Sequence, residues 1–257
     1  MEHTLIKIGG ELAGQPEALE KICREIIKRQ QQNQKVLLVH GGGPQINSWS
    51  ERLGVPVKQY HGRRVTDEDT LEVMQAVVAG VVNPNVVAGL RKAGIRSAGL
   101  TGIDAGITTA TKRPPLTYGE ESIDYGLIGE ITDVDVSYLR VFTENTIVPV
   151  IGCLTWSEAE GILNINADTL ARKLAAALPD CELILLSSIP GVYDAEQNII
   201  PRLNRKQEQH GLDAGWITTG MQPTHENGFG ALEEGVDAVT ITNPDGLVGD
   251  GGTRLFL

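Results

Sequence analysis

Aromatic side chains are scarce in this 257-residue chain: three Trp, five Tyr and three Phe make up 4% of it. A core must therefore be built from Val, Ile, Leu and Ala, the composition of a parallel sheet covered by helices. Cysteine is scarce too. Cys23, Cys153 and Cys181 are widely spaced; they match no metal-ligand pattern, and their odd number fits a reducing cytosol. They are expected to be buried small hydrophobes. Positive charge is short, with 22 Lys and Arg against 33 Asp and Glu for a formal charge of −11. That balance argues against a nucleic-acid partner and leaves room only for a local basic pocket that holds an anion. Long apolar runs are missing. Lys35-Val-Leu-Leu-Val39 is of strand length, and nothing approaches the roughly 18 residues of a membrane span. The amino end shows neither the basic region nor the cleavage site of a secretory signal. A cytoplasmic protein with no membrane partner is the expectation.

Glycine, by contrast, is plentiful, at 30 residues, in a chain whose 41% hydrophobic and 21% charged residues are globular values. Thr4–Ile8 is a short apolar run closed by Gly9-Gly10. Residues 16–32 have helical periodicity, with Leu19, Ile22, Ile26 and Ile27 on one side. Val36–Val39 is a second strand, closed by His40-Gly-Gly-Gly43. Strand, helix, strand implies a parallel pair, and the ligand site of an open α/β sheet lies beyond the carboxyl ends of its strands. Both glycine clusters thus point to one place. The alternation continues. A long helix over 67–90 is interrupted near Asn83-Pro84, and strands are expected at 97–100 and 146–151. A hairpin region spans 106–132 and turns at Asp124-Tyr-Gly126. A strand at 163–166 leads into a helix over 168–178, followed by a strand at 183–186 and a polar stretch around 195–210. A helix over 223–234 and strands at 238–241 and 253–257 complete the chain.

Several constellations can carry chemistry. Lys7 before Gly9 and Gly10 sets an ammonium beside exposed backbone N–H groups, an anion-binding concavity; an ordinary surface lysine before a turn is the plainer alternative. Gly41-Gly42-Gly43 opens a helix near Pro44, where a helix N-terminus favours negative charge, or simply makes a tight connection. It is neither a Walker loop nor the Gly-x-Gly-x-x-Gly of a dinucleotide fold, which weighs against an oxidoreductase. In Gly62-Arg-Arg-Val-Thr66 an arginine offers a bidentate fork to a carboxylate, or a solvated charge pair. In Asn164-Ile-Asn-Ala-Asp168, strand alternation sets Asn164 and Asn166 on one face. Asp168 at the helix start is then either an N-cap or an organiser of nearby polar groups.

In one order along essentially the whole chain, these pieces join Asp124-Tyr-Gly-Leu-Ile-Gly-Glu130, Leu186-Ser-Ser-Ile-Pro-Gly191 and Gly220-Met221. Together they resemble the amino acid kinase family, in its branch that phosphorylates N-acetyl-L-glutamate. The resemblance implies a three-layer αβα sandwich with a central, mainly parallel sheet. A lobe over 1–179 would bind the acyl-amino acid and dimerise, and a lobe over 180–257 would bind ATP. The implied reaction moves the ATP γ-phosphoryl group to the γ-carboxylate of an N-acyl-L-glutamate, giving an acyl phosphate in arginine biosynthesis. N-acetyl-glutamate is the default acceptor and N-succinyl-glutamate the alternative. Mg2+ would bridge the phosphates of ATP with few protein ligands, and no metal site of the protein's own is implied. By the same resemblance, Lys7 would contact the transferred phosphoryl group, and Gly9, Gly10, Gly42 and Gly43 would line the phosphoryl and substrate loops. Arg64 would hold the α-carboxylate, Asn164 would orient the acylated amino acid, and Asp168 would position the lysine. The loop Ser188, Ile189, Pro190, Gly191, Val192 and Tyr193, with Trp216, Ile217 and Thr218, would border the nucleotide. Leu5 already belongs to the first strand, so the extra helix of arginine-inhibited hexamers is not expected; a homodimer without arginine feedback is.

The chain departs from this pattern in two places. The family carries a second lysine four residues beyond the glycine of its Gly-Met pair, and here that position is Thr224. One lost donor at a comparable site costs about 10²–10³ in rate, so a weakened member that binds ligand without efficient turnover is the rival reading. Convergence of Lys7, Arg64, Asn164 and Asp168 on one site favours the enzyme. The second departure is Ser188, where the family often has Asp.

Overall fold

A computed structural model describes every residue except Gly62, Glu120 and 218–221, together with the side chains of Gln222 and Pro223. Its centre is an eight-stranded sheet. Across it run Arg202–Leu203, Thr253–Leu255, Ala238–Thr242, Cys181–Leu186, His3–Ile8, Lys35–His40, Val148–Gly152 and Ser97–Thr101. The six strands from Ala238–Thr242 to Ser97–Thr101 are parallel, and Thr253–Leu255 turns antiparallel at the far side. Helices cover both faces of such a sheet, which is why His3–Ile8 is buried throughout, His3, Thr4 and Lys7 included. The strand Cys181–Leu186 pairs with His3–Ile8 along its whole length, so one sheet runs through the chain. His3–Ile8 leads by way of helix Pro16–Gln31 to Lys35–His40 on one flank, while Cys181–Leu186 takes the other. The order in which strands are added reverses there, and the crevice above is where this kind of sheet binds ligands.

A four-stranded sheet stands beside that crevice, in the order Gly161–Asn164, Leu154–Ser157, Thr108–Lys112 and Gly129–Val134. The hairpin expected within 106–132 is present as Leu116–Tyr118 against Glu121–Ile123, so the chain reverses between Tyr118 and Glu121 and not at Asp124-Tyr-Gly126, which follows the second strand. All three cysteines are free and buried, as expected.

The structure corrects the sequence reading in four further places. The helix over 67–90 leaves α-helical geometry directly before Asn83-Pro84 but does not break there. It runs on as Glu68–Val77, a π-helical turn Val78–Val82 and Asn83–Lys92, because Asn83 is buried with its amide hydrogen-bonded rather than breaking the helix. The whole stretch is long and apolar enough, by length and composition, to cross a membrane; here Leu71, Met74, Val77, Val78, Val86 and Leu90 are buried in the core. The strand expected over 163–166 ends at Asn164. The polar stretch around 195–210 holds the strand Arg202–Leu203 and the helix Arg205–Asp213, opened by a capping box between Asn204 and Gln207. The last strand ends at Leu255.

Candidate active site

The glycine clusters meet. A Cβ on Gly10 would stand 2.9 Å from the Gly43 nitrogen and 3.2 Å from the Gly42 nitrogen, so only glycine lets the two loops abut. The helix Gly43–Leu53 starts there without a side-chain cap, which leaves its first N–H groups directed at the crevice. Between the loops lies a cleft of about 430 Å3. Gly9, Gly10, Gly42, Gly43 and Ser188 line it, and so do Lys7, Arg64, Asn164 and Asp168. The four residues whose convergence separates an enzyme from a weakened binder therefore share one wall.

Lys7 Nζ is 2.8 Å from Asp168 Oδ1, with both side chains about nine-tenths buried. Asp168 is free to make this pair because it is not the cap of its helix. Asn166 is: its Oδ1 accepts from the Asp168 and Thr169 nitrogens at 2.8 and 3.2 Å. The cap reading of Asp168 is thus corrected, and Asn166 lies beyond the strand's end, although it lines the same cleft as Asn164. Asn164 remains on its strand, buried, and its Nδ2 donates to Thr66 Oγ1 at 3.0 Å. Thr66 in turn donates its N–H to the Tyr125 carbonyl and accepts from the Leu127 N–H. Gly126 passes so close that a Cβ would lie 2.3 Å from the Thr66 oxygen, and its φ is +76°. The Asp124-Tyr-Gly turn is therefore what holds Thr66 under Asn164.

Arg64 donates through Nη2 to Asn47 Oδ1 and, at 3.5 Å, to the Gly43 carbonyl. Its Nη1 is buried with no hydrogen-bond partner among the described residues. Burial pushes its pKa below the ordinary arginine value. A carboxylate would relieve both conditions, since it accepts two parallel N–H bonds from a guanidinium.

Some cleft residues lay outside the sequence reading. Arg113 comes from the turn after Thr108–Lys112 and lines the cleft beside Arg63. Burial first, and the charge of Arg63 second, lower its pKa. The Lys112-Arg113-Pro-Pro sequence was the available signal. Cys153 also lines the cleft, with burial pushing its thiol up to about 11, so it is no nucleophile near neutrality. His40, at the foot of the glycine loop, is fully buried, and burial pushes its imidazole down to about 4. The neutral ring donates from Nδ1 to the Gly41 carbonyl at 2.9 Å and accepts at Nε2 from Asn83 Nδ2 at 2.9 Å. Asn83 Nδ2 also reaches the Val150 carbonyl at 2.8 Å, tying the glycine loop to the neighbouring strand.

The remaining residues expected to border the nucleotide gather around a second cavity of about 120 Å3, lined by Ile189, Val192, Tyr193, Trp216 and Ile217 with Gln197 and His225. Pro190 and Gly191 complete the loop between the two cavities. Gly191 is pressed against the last strand, where a Cβ would meet Thr253 Oγ1 at 2.8 Å. Thr218 lies outside the described residues, as do Gly220 and Met221. Thr224 is half-buried on the helix Gln222–Glu233 and lines neither cavity, whereas His225 points into the interior. No group of three or more His, Cys, Asp or Glu that could hold a metal ion occurs among the described residues.

Compared with known proteins, the chain matches the amino acid kinase family over residues 2–243. An acetylglutamate kinase of Sorangium cellulosum is 40% identical to it, over 92% of this chain and 85% of that one. An acetylglutamate kinase of Bacteroides fragilis is 36% identical, over 98% of this chain and 96% of that one. Among solved structures, a Streptococcus mutans protein superposes with a TM-score of 0.82 at 29% identity, over 99% of this chain and 98% of that one. Match, relatives and superposition all run nearly end to end, with the glycine loops and the buried lysine standing where two flanking strands leave their crevice: the chain belongs to the amino acid kinase family.

Proposed function

We propose that the chain transfers the γ-phosphoryl group of ATP to the γ-carboxylate of N-acetyl-L-glutamate, giving an acyl phosphate in arginine biosynthesis. The observation that carries this reading is the Lys7–Asp168 ion pair facing the same cleft as the half-filled Arg64 fork. A carboxylate is already a nucleophile, so the chemistry asks for alignment and charge neutralisation rather than a base. Arg64 takes the α-carboxylate and Asn164 orients the amide. Lys7, steadied by Asp168, neutralises charge on the transferring group, with the N–H groups of the two glycine loops around it. ATP enters as its magnesium complex, and its phosphates hold the ion. Residues 1–179 serve the acceptor and 180–257 the nucleotide. Ser97–Thr101 is left at an open edge of the sheet, which a second copy would cover in a cytoplasmic homodimer; a monomer by light scattering would refute that assembly.

A second reading of the acceptor has its own support. Arg63 and Arg113 add two guanidinium groups to a cleft in which Arg64 alone suffices for an α-carboxylate. An acyl group that ends in a carboxylate, as in N-succinyl-glutamate, would pair with them. The experiment is ADP release from Mg-ATP with N-acetyl- and N-succinyl-glutamate offered separately. Release that depends on N-acetyl-glutamate is the expected result. Release only with N-succinyl-glutamate selects the second reading. No release with either, alongside measurable binding, makes the chain a weakened binder.

A further inference from the structure

Arg63 and Arg64 reach the cleft on a very small element. The strands Gln59–Tyr60 and Arg63–Arg64 make a hairpin that pairs, among the described residues, with no other strand. A hairpin this short is not stable by itself, so something outside it must fix where its arginines point. Val65, next in the chain, packs into a small apolar cluster apart from the main core, with Leu116, Tyr118, Ile123, Tyr125 and Ile128. Leu116–Tyr118 and Glu121–Ile123 form the other two-stranded hairpin. The two hairpins thus share one cluster.

Within it, Tyr125 grips the arginine segment at both ends. Its backbone carbonyl accepts from the Thr66 N–H at 2.9 Å, two residues beyond Arg64. Its hydroxyl donates to the Tyr60 carbonyl at 3.2 Å, three residues before Arg63. Both arginines therefore lie between two points tied to one residue, whose side chain is buried. The hydroxyl also stands 3.3 Å from that of Tyr118. The Tyr118 ring in turn stacks on His61, in the turn of the arginine hairpin, with centroids 4.0 Å apart and planes 20° from parallel. Burial first, and the Tyr118 hydroxyl second, push the Tyr125 pKa up to about 12, so the hydroxyl keeps its proton and stays a donor near neutrality. Phenylalanine would fill the same space; the hydroxyl is what reaches the far end of the hairpin.

We propose that Tyr125 is a positioning residue for Arg64, supported by Tyr118: by tying residues 60 and 66 to one side chain and its backbone, it keeps the guanidinium fork turned into the cleft before the acceptor arrives. The inference rests on the reading above, in which Arg64 takes the α-carboxylate of the acceptor. Preorganisation of this kind lowers the cost of binding. It leaves untouched the phosphoryl step, which that reading assigns to Lys7 and the glycine loops.

The test is steady-state kinetics of Tyr125→Phe with Mg-ATP and whichever of N-acetyl- and N-succinyl-glutamate the natural chain uses. KM for the acceptor should rise by roughly threefold to tenfold, the loss of one hydrogen bond, while kcat and KM for ATP stay within about twofold of the natural values. A merely structural tyrosine would lower the folded fraction, and so the apparent kcat, and leave both KM values alone. That outcome overturns the inference, as does an equal rise in both KM values. In an Arg64→Lys background, where the fork is already lost, Tyr125→Phe should change the acceptor KM by no more than about twofold. The full effect in that background would mean that Tyr125 acts on something other than Arg64. Should Tyr125→Phe fail to fold, Tyr118→Leu decides in its place, since it removes the supporting hydroxyl and the stack on His61 from a half-buried position. An acceptor KM raised by about threefold sustains the inference, and an unchanged one overturns it. Failure of the kinase reading looks different, because then the natural chain itself shows no acceptor-dependent turnover.

Discussion

At the amino ends of the central strands, Arg29 is saturated: Nε donates to Glu25 at 2.7 Å, and Nη1 donates to Glu182 at 2.6 Å and to Thr4 at 2.7 Å. At the carboxyl ends, Arg64 keeps a buried nitrogen unfilled, and Arg113 is lowered by burial and by the charge of Arg63. The same side chain thus holds the sheet together at one end and waits for an anion at the other. The contrast teaches that burial of a charge does not by itself mark a site. Burial without its counter-charge does, because the fold then bears a desolvation cost that a ligand would relieve.

The contrast can be broken from either end. Lys7→Ala should bring the largest loss, about 10³-fold or more in kcat, with KM for the acceptor little changed. Unchanged turnover in that variant would end the phosphoryl role of Lys7. Arg29→Ala should do the reverse. It removes the cation shared by Glu25 and Glu182, leaving Glu25 with Lys28 at 3.5 Å, and should cost about 2–4 kcal/mol of stability in a urea titration, with kcat/KM intact at a temperature where the variant remains folded. A kinetic defect there would show that the two ends are not separate.

His40 gives a smaller effect that belongs to the crevice end. Its folded value of about 4 lies below the ordinary value of 6.5. Between those two pH values the unfolded chain binds a proton that the folded chain refuses. Stability is therefore fully present above about pH 6.5 and is lost as the pH falls toward 4, by about 3 kcal/mol in all. His40→Phe should flatten that part of the pH profile of the urea midpoint. If the slope persists, another group is responsible for it.

How far the sequence could be read follows the same physics. Buried parallel strands appear as apolar runs, and loops that must abut appear as glycines, so His3–Ile8, Lys35–His40 and the place where they end were legible. Lys7 was legible because it sits at the end of such a strand; Arg64 and Asn164 lie on antiparallel strands outside the main sheet, and they and Asp168 were legible through the motifs that resemble the family. Asn83 was not, because an asparagine before proline suggests a break, and only the carbonyls of distant strands show why the helix runs through it. Arg113 reaches the cleft from a separate sheet, so the basic pair before Pro114 marks a turn without saying where it points. The pairing of His225 with Glu208 joins a helix to a stretch whose polarity resembled a loop, although its capping box was there to be seen. Asn166 and Asp168 exchanged roles because either one can cap a helix, and the lysine that decides between them lies on the first strand.

Thr224 tests the crevice end with the smallest expected change. A lysine there would add a cation to a helix that already has one nearby: Arg63 Nη2 lies 4.0 Å from Glu226 Oε2, two positions beyond Thr224. Arg63 also lines the main cleft, so on the proposed reading positive charge would reach the reaction from the substrate side while the helix that carries Thr224 would offer only a hydroxyl. Thr224→Lys should therefore raise kcat, but by about tenfold at most, less than the loss of a single oxyanion donor elsewhere. The increase should be larger when Arg63 is changed to Leu, because two cations serving one charge are not additive and a double-mutant cycle exposes their coupling. A fall in kcat on introducing the lysine, with Arg63 in place, would mean that the packing around Thr224 has been rebuilt for a hydroxyl, and that the cation is not what this site lacks.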